Sequence, residues 1–173
     1  NIDQIQSGFS YAQPDVLLEN RGGKFVENNV FFRDASRAPR VGRGACFGDL
    51  DNDGDLDILV NNCGGKPHLL LNQVGNKKNW ILLNLIGTRS NRDAVGARIT
   101  VTATGGRQTD QITGGGSYLS ASDFRVHFGL GHSEKIKNIK IEWPSGTEEI
   151  YQDIDINQIL SITEGAEKIQ VVN

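Results

Sequence analysis

The chain has 173 residues, with 18 Lys and Arg, 21 Asp and Glu, and a formal net charge of −3. This length gives room for one large or two small domains. The basic residues are scattered, so neither nucleic acid nor an anionic membrane surface is an expected partner. The longest apolar run is Trp80-Ile81-Leu82-Leu83, far short of the roughly 20 residues that span a bilayer, so no membrane span is predicted. The sequence contains no Met and shows no signal peptide, so we expect a processed form or a piece of a longer protein.

Alternating apolar and polar residues dominate the chain, and no segment keeps a helical period over three turns. In Arg98–Thr104, for example, Ile99, Val101 and Ala103 alternate with polar residues. The pattern predicts an all-β protein. The predicted strands are Val16–Glu19, Lys24–Glu27, Ala45–Gly48, Asp57–Asn61, His68–Asn72, Trp80–Ile86, Arg98–Thr104, Gln108–Thr113, Phe124–Phe128, Ile136–Trp143, Thr147–Tyr151 and Ile159–Thr163.

A short internal repeat suggests how these strands are organised. Pro14–Asn20 and Pro67–Gln73 share one pattern of apolar and polar residues, at a spacing close to that of β-propeller blades. We therefore predict a partial β-propeller blade over residues 1–76. The polar segment Gly75–Asn79 is suited to be a linker. Beyond it, short strands and glycine-rich turns over residues 77–173 predict an antiparallel β-sandwich.

The most informative segment is a run of alternating aspartates with glycine at its sixth position, Gly54. The aspartates are Asp49, Asp51, Asp53, Asp55 and Asp57. Like charges this close repel unless a cation lies among them. Calcium takes six to eight oxygen ligands, and side chains from the first, third, fifth and ninth positions plus the main-chain carbonyl of Asp55 can supply them. An EF-hand does not fit, because its twelfth position would be Val60 rather than Glu. The alternative is a solvated acidic turn.

Ordered motifs in the chain resemble two known families. Phe47–Leu59 and Leu18–Phe25 look like the calcium loop and the strand-turn-strand of FG-GAP/VCBS repeats. Five later segments resemble the ASPIC/UnbV domain: Gly87–Arg98, Gly115–Ser120, His127–Gly131, Trp143–Gly146 and Asn157–Leu160. This combination is typical of secreted cartilage acidic proteins and of bacterial exported proteins, whose molecular activity is not established. The resemblance implies that Asp49, Asp51, Asp53 and Asp57 bind Ca²⁺ through side chains and Asp55 through its carbonyl.

Other candidate sites are weaker. His127 and His132, with Glu134 nearby, could hold zinc. No third ligand stands at a spacing typical of zinc sites, so a structural or surface role is favoured for these residues. Gly114–Ser117 is a glycine-rich segment without the Lys-Ser/Thr of a phosphate-binding loop. Leu119 stands where a nucleophile elbow needs glycine, so a plain turn is predicted.

Three further features have mainly structural interpretations. Arg98 could bind a carboxylate ligand or pair with Asp93 to fix a loop, and the second role is favoured. Asp153–Asn157 begins like a calcium loop, but no glycine follows, and a strand with a solvated face fits better. Cys46 and Cys63 bracket the aspartate run; they could form a disulfide in an oxidising compartment or be small buried apolar residues.

These observations predict a calcium-binding, non-catalytic recognition module that is secreted, extracellular or periplasmic. Its expected partner is an unidentified extracellular protein or glycan. A carbohydrate-binding module is the alternative, and it would need Trp143 or Tyr118 on the surface. An accessory enzyme of secondary metabolism, using Ser117 or His127, is a weaker alternative because the sequence supplies no nucleophile–base pair.

Overall fold

The computed structural model describes residue 5 and residues 10–28, 38–166 and 169–172. The named elements in that part of the chain are β-strands and one 3₁₀ turn, Gly75–Lys77, which confirms the all-β prediction. The strands are β1 (Leu18–Arg21), β2 (Lys24–Glu27), β3 (Gly42–Gly48), β4 (Asp57–Asn62), β5 (His68–Leu70), β6 (Asn79–Ile86), β7 (Arg98–Ala103), β8 (Gly106–Gln111), β9 (Val126–Gly131), β10 (Ile136–Glu142), β11 (Glu148–Ile154), β12 (Ile159–Thr163) and β13 (Gln170–Val172).

Strands β6 to β13 form two four-stranded sheets. One has the order β11-β10-β7-β8 and the other β13-β12-β6-β9. The buried apolar residues of the core cluster all come from this region, among them Ile81 and Leu83 of β6, Ile99 and Val101 of β7, and Ile139 of β10. Period-2 alternation places these side chains on one face of each strand, where burial away from water stabilises the packed sheets. One feature differs from the predicted antiparallel arrangement: β6 and β12 pair in parallel.

The N-terminal strands form two smaller antiparallel units. Strands β1 and β2 make a two-stranded ribbon, and β3, β4 and β5 make a three-stranded sheet. Every residue of the ribbon is exposed, including Phe25 at 68% of its surface. In the three-stranded sheet Val60 is buried, whereas Leu59 and Leu69 are exposed. A propeller blade has four strands in one sheet, so the blade and the boundary at residue 76 remain predictions.

The observed strand bounds agree with the predicted ones more closely in the middle of the chain than at its C-terminal end. Strand β13 was not predicted. The segment Asp153–Asn157 is also not one continuous strand, because β11 ends at Ile154 and both Asp153 and Asn157 have positive φ angles, 54° and 57°. Ile156 nevertheless packs against the core.

The two cysteines do not form a disulfide. Cys46 lies opposite Leu59 in the β3–β4 register, and Cys63 follows four residues later. At ~3.3 Å per residue this places Cys63 roughly 13 Å along the strand direction, well beyond the ~4–7 Å between Cα atoms that a disulfide requires. Both are free cysteines, and Cys63 is exposed rather than buried.

Glu164 joins the start and the end of the sandwich. Its carboxylate is buried and accepts hydrogen bonds from the backbone N–H groups of Thr88, Arg89 and Ser90 at 2.8–2.9 Å, and from the hydroxyls of Ser90 and Ser145. Burial raises the pKa of Glu164, but the hydrogen bonds outweigh it and lower the pKa to about 2. The loop that resembles the opening of the ASPIC/UnbV domain is therefore fixed by a charged group that is distant in sequence.

Candidate metal site

The aspartate run forms the connection between β3 and β4. The two strands pair up to Gly48 and Asp57, so the ends of the connection are held together by the sheet. Gly54 has a φ angle of +96°, a conformation that glycine adopts without the steric cost of a side chain. Residues 49–57 are called the Asp loop below.

Three of the four predicted side-chain ligands converge. One carboxylate oxygen from each of Asp49, Asp51 and Asp57 lies within 4.8 Å of the other two. Oxygens that bind one Ca²⁺ at ~2.3–2.6 Å can be at most about 5 Å apart, so this spacing fits a common ion. Asp49 and Asp57 are 1% exposed, and Asp51 is exposed. The arrangement has one solvent-facing carboxylate and two buried ones.

Backbone N–H groups orient the two buried carboxylates. The N–H groups of Asp53 and Gly54 donate to Oδ1 and Oδ2 of Asp49, at 3.1 and 3.0 Å. The N–H groups of Leu50 and Asn72 donate to Oδ2 and Oδ1 of Asp57, at 3.0 and 2.9 Å. Each carboxylate oxygen keeps lone-pair capacity for a cation, because a carboxylate can accept about four bonds in total.

The remaining two aspartates lie to one side of the cluster. Asp53 Oδ2 accepts a 2.6 Å hydrogen bond from the side chain of Asn76, and its Oδ1 accepts from the N–H of Asp55. Asp55 Oδ2 accepts from the backbone N–H of Asn76 at 3.3 Å, while its buried Oδ1 has no hydrogen-bond partner among the described residues. Neither side chain is part of the three-carboxylate cluster, so a ligand role for Asp53 and for the Asp55 carbonyl remains a prediction.

The electrostatics of the loop favour a cation. Burial raises the pKa of Asp49, and hydrogen bonds from Gly54 and Asp53 and the charge of Arg125 only partly offset this. Burial also raises the pKa of Asp55, with further repulsion from the charges of neighbouring aspartates. Among the residues that the structure describes, no loop carboxylate forms an ion pair with a basic side chain. A bound divalent cation would remove this unfavourable charge concentration.

Three sandwich residues contact the Asp loop, and the sequence analysis missed all three as parts of this site. Arg125 donates to the main-chain oxygen of Asp49 at 2.6 Å and to Oδ1 of Asn52 at 2.7 Å. His127 Nε2 donates to the main-chain oxygen of Gly54 at 2.9 Å, in the tautomer with the proton on Nε2. The ring of Trp80 stacks on His127, with centroids 6.4 Å apart, and occupies the space that a Cβ at Gly54 would need.

The other candidate residues are not assembled into sites. The carboxylate cluster is the metal-ligating group found in the described part of the chain, and His127, His132 and Glu134 do not form another. Ser117 Oγ accepts a hydrogen bond from the N–H of Ala45, whereas His127 bonds to the main-chain oxygen of Gly54.

The two candidate aromatic residues differ in exposure. Trp143 is 3% exposed and belongs to the core, whereas Tyr118 is 65% exposed. A sugar-stacking role that required Trp143 is therefore wrong, while Tyr118 meets the requirement for exposure. No ion pair joins Arg98 to Asp93 in the described part of the chain.

Comparison with known proteins supports the family resemblance of the C-terminal region. Residues 87–169 match the ASPIC and UnbV family. This segment contains the Glu164 anchor and six of the sandwich strands, β7 to β12, including β9, which carries His127. The match begins after the Asp loop, so it does not extend to the FG-GAP/VCBS part of the resemblance.

Curated relatives extend the similarity over the Asp loop. Cartilage acidic protein 1 of Xenopus tropicalis is 30% identical over 173 residues, covering 93% of this chain and 26% of that protein. The proteins of the same name from Mus musculus and Homo sapiens are each 31% identical over 135 residues, covering 76% of this chain and 20% of theirs. The chain thus spans about a quarter or less of the length of these relatives.

No helix in the described part of the chain has the length and apolar composition needed to cross a membrane.

Proposed function

We propose that this chain is a calcium-binding, non-catalytic recognition module that works outside the cell, or in the periplasm of a bacterium. The observation that carries the proposal is the cluster of Asp49, Asp51 and Asp57, whose oxygens lie within 4.8 Å of one another. Two of the three carboxylates are buried, and within the described residues none of the three has a basic partner in an ion pair, an arrangement that a bound cation would stabilise. All-oxygen ligands favour a hard cation such as Ca²⁺ over zinc or copper.

The setting of the site supports a role outside the cytosol. Extracellular calcium is near millimolar and fills sites too weak to be occupied at cytosolic concentrations. The relatives are named for cartilage, a tissue composed largely of extracellular matrix. Two potential catalytic groups, Ser117 and His127, each make a structural hydrogen bond, which favours recognition over catalysis.

Replacing Asp57 with asparagine is expected to abolish calcium binding measured by isothermal titration calorimetry. The amide keeps the size of the side chain but removes one buried negative charge from the cluster. An Asp110→Asn variant is the matched control, because Asp110 is exposed on β8. The control should bind calcium as the unmodified protein does. Equal calcium binding by the Asp57→Asn variant would show that the cluster is not the site.

A carbohydrate-binding function is the second candidate, and it is favoured by the exposed ring of Tyr118. Tyr118 is followed by Leu119, which is 85% exposed and has a φ angle of +48°, so the loop presents two bulky side chains to solvent. Aromatic rings that face solvent can stack on sugars. Binding on a glycan array that is lost in the Tyr118→Ala variant would favour this function, and an array without binding would remove it.

A further inference from the structure

The sandwich contacts the N-terminal sheet at a strand as well as at the Asp loop. The strand contacts run along β3, where Ser117 Oγ accepts from the N–H of Ala45 at 3.0 Å and Ser122 Oγ accepts from the N–H of Phe47 at 3.2 Å. The N–H of Asp123 also donates to the main-chain oxygen of Phe47 at 2.9 Å. These bonds involve the backbone of a paired strand, so we expect them to form whether or not an ion is bound.

The contacts to the Asp loop differ from those along β3, because they bind atoms next to the carboxylate cluster. Arg125 bridges the loop through the carbonyl of Asp49 and the side chain of Asn52. Its guanidinium is itself held by Asp123, whose Oδ2 accepts from Nε at 2.7 Å. The ion pair with Asp123 therefore restrains Arg125, which holds the backbone of one cluster residue directly.

His127 and Trp80 hold the other end of the loop. His127 Nε2 donates to the main-chain oxygen of Gly54. Trp80 lies against Gly54 and stacks on the His127 ring at an interplanar angle of 17°. Arg125 and His127 are alternate residues, the first just before β9 and the second within it, so both side chains reach the loop from one side.

The conformation of the Asp loop would thus depend both on the bound ion and on the hydrogen bonds from the sandwich. Without a cation, the loop concentrates aspartate charge that no basic side chain pairs with in the described part of the chain. Repulsion would then loosen the loop and weaken the hydrogen bonds to Arg125 and His127. If the sandwich favours the ion-binding shape, the ion must favour sandwich contact by the same factor, because coupling between two binding events is reciprocal.

We propose that the Asp loop is a calcium-dependent clamp between the three-stranded sheet and the sandwich. Arg125 and His127 are positioning residues: they hold the loop in its ion-binding shape, and the bound ion fastens the sheet to the sandwich. The clamp rests on the proposed calcium function and adds a regulated contact between the two parts of the chain. Groups around a metal's ligands commonly change metal affinity by 10–100-fold when they are removed.

The Arg125→Gln variant separates positioning from charge. Removing a positive charge near the cluster would by itself strengthen calcium binding, because the repulsion between Arg125 and the ion is lost. The clamp predicts the opposite, an affinity about tenfold weaker by calorimetric titration with calcium chloride. Arg107→Gln, with the same change of charge at an exposed position on β8, is the matched control and should bind like the unmodified protein.

A second variant and an optical readout make the test independent of Arg125. His127→Phe keeps a ring to stack on Trp80 but removes the donor to Gly54, and it should also weaken calcium binding. Trp80 fluorescence should change on calcium addition, whereas the buried Trp143 supplies a constant background. The signal change should be absent in Trp80→Phe and should need more calcium in the Arg125 and His127 variants.

The outcomes distinguish the clamp from the calcium site beneath it. If the unmodified protein binds calcium and both variants bind it with unchanged affinity, the clamp is wrong and the calcium site stands. If the unmodified protein binds no calcium, both proposals fail. Weaker binding by both variants, with Arg107→Gln unchanged, supports the clamp. Circular dichroism checks that each variant retains its β-structure, so a fold defect in one variant leaves the other as the test.

Discussion

Replacing Glu164 with alanine is expected to lower the free energy of unfolding by about 3–5 kcal/mol at neutral pH, the largest loss that we predict for a single side chain. The substitution leaves the backbone N–H groups of Thr88, Arg89 and Ser90 without their acceptor in a partly buried site. Each unsatisfied buried donor costs about 1–3 kcal/mol, partly relieved by water that enters the space. Urea unfolding followed by circular dichroism measures this loss.

The Glu164→Gln variant tests whether the charge itself contributes. The folded-state pKa of Glu164 is about 2, below its ordinary value of 4.5. A lowered folded-state pKa gives stability that is complete above about pH 4.5 and is lost as the pH falls towards 2. The unmodified protein should therefore approach the stability of the glutamine variant in acid. Parallel pH profiles of the two proteins would contradict this role of the charge.

Replacing Gly54 with alanine is expected to cost about 2–4 kcal/mol of stability and to disturb the Asp loop. Two effects combine. The φ angle of +96° is unfavourable for a residue with a side chain, at about 1–2 kcal/mol, and the new methyl group would collide with the ring of Trp80. Because Gly54 supplies the N–H that orients Asp49, calcium binding should weaken together with stability.

The chain offers a control that isolates the backbone effect. Gly22 also has a positive φ angle, +62°, but a Cβ there would meet no atom within 4 Å. Gly22→Ala should therefore show only the conformational cost, and the excess loss in Gly54→Ala measures the collision. In a Trp80→Ala background the excess should largely disappear, as a double-mutant cycle of thermal or urea unfolding would show. Equal losses at Gly22 and Gly54 would contradict the steric explanation.

The sequence predicted the strands well because alternation is a local signal. Arg98–Thr104 alternates cleanly, and β7 occupies Arg98–Ala103 with its apolar residues buried. Sheet order is not local: the parallel pairing of β6 with β12 depends on residues about 80 positions apart, which alternation does not specify. The short β13 has only three residues, all exposed, and so lacks a buried face that a pattern could mark.

In the candidate site, too, the features that are local in sequence were predicted and those that depend on distant residues were not. The cluster aspartates lie within nine consecutive residues, so their spacing and Gly54 were sufficient to predict the loop. Arg125 and His127 reach the loop from 76 and 73 residues away, and only the folded sandwich brings them there. Glu164 was missed for the same reason, since its partners lie 74 to 76 residues earlier. A resemblance over residues 87–98 pointed to that loop but not to the carboxylate that holds it.

The most direct test of the calcium site is a pair of thermal melts of the unmodified chain, one in about 2 mM calcium and one in excess chelator. An ion present at 100 times its dissociation constant adds ~2.7 kcal/mol of stability, which corresponds to a rise in Tm of roughly 5–10 °C for a protein of this size. We expect such a rise with calcium and its absence in the Asp49→Asn variant. Identical melting temperatures in calcium and in chelator would contradict it.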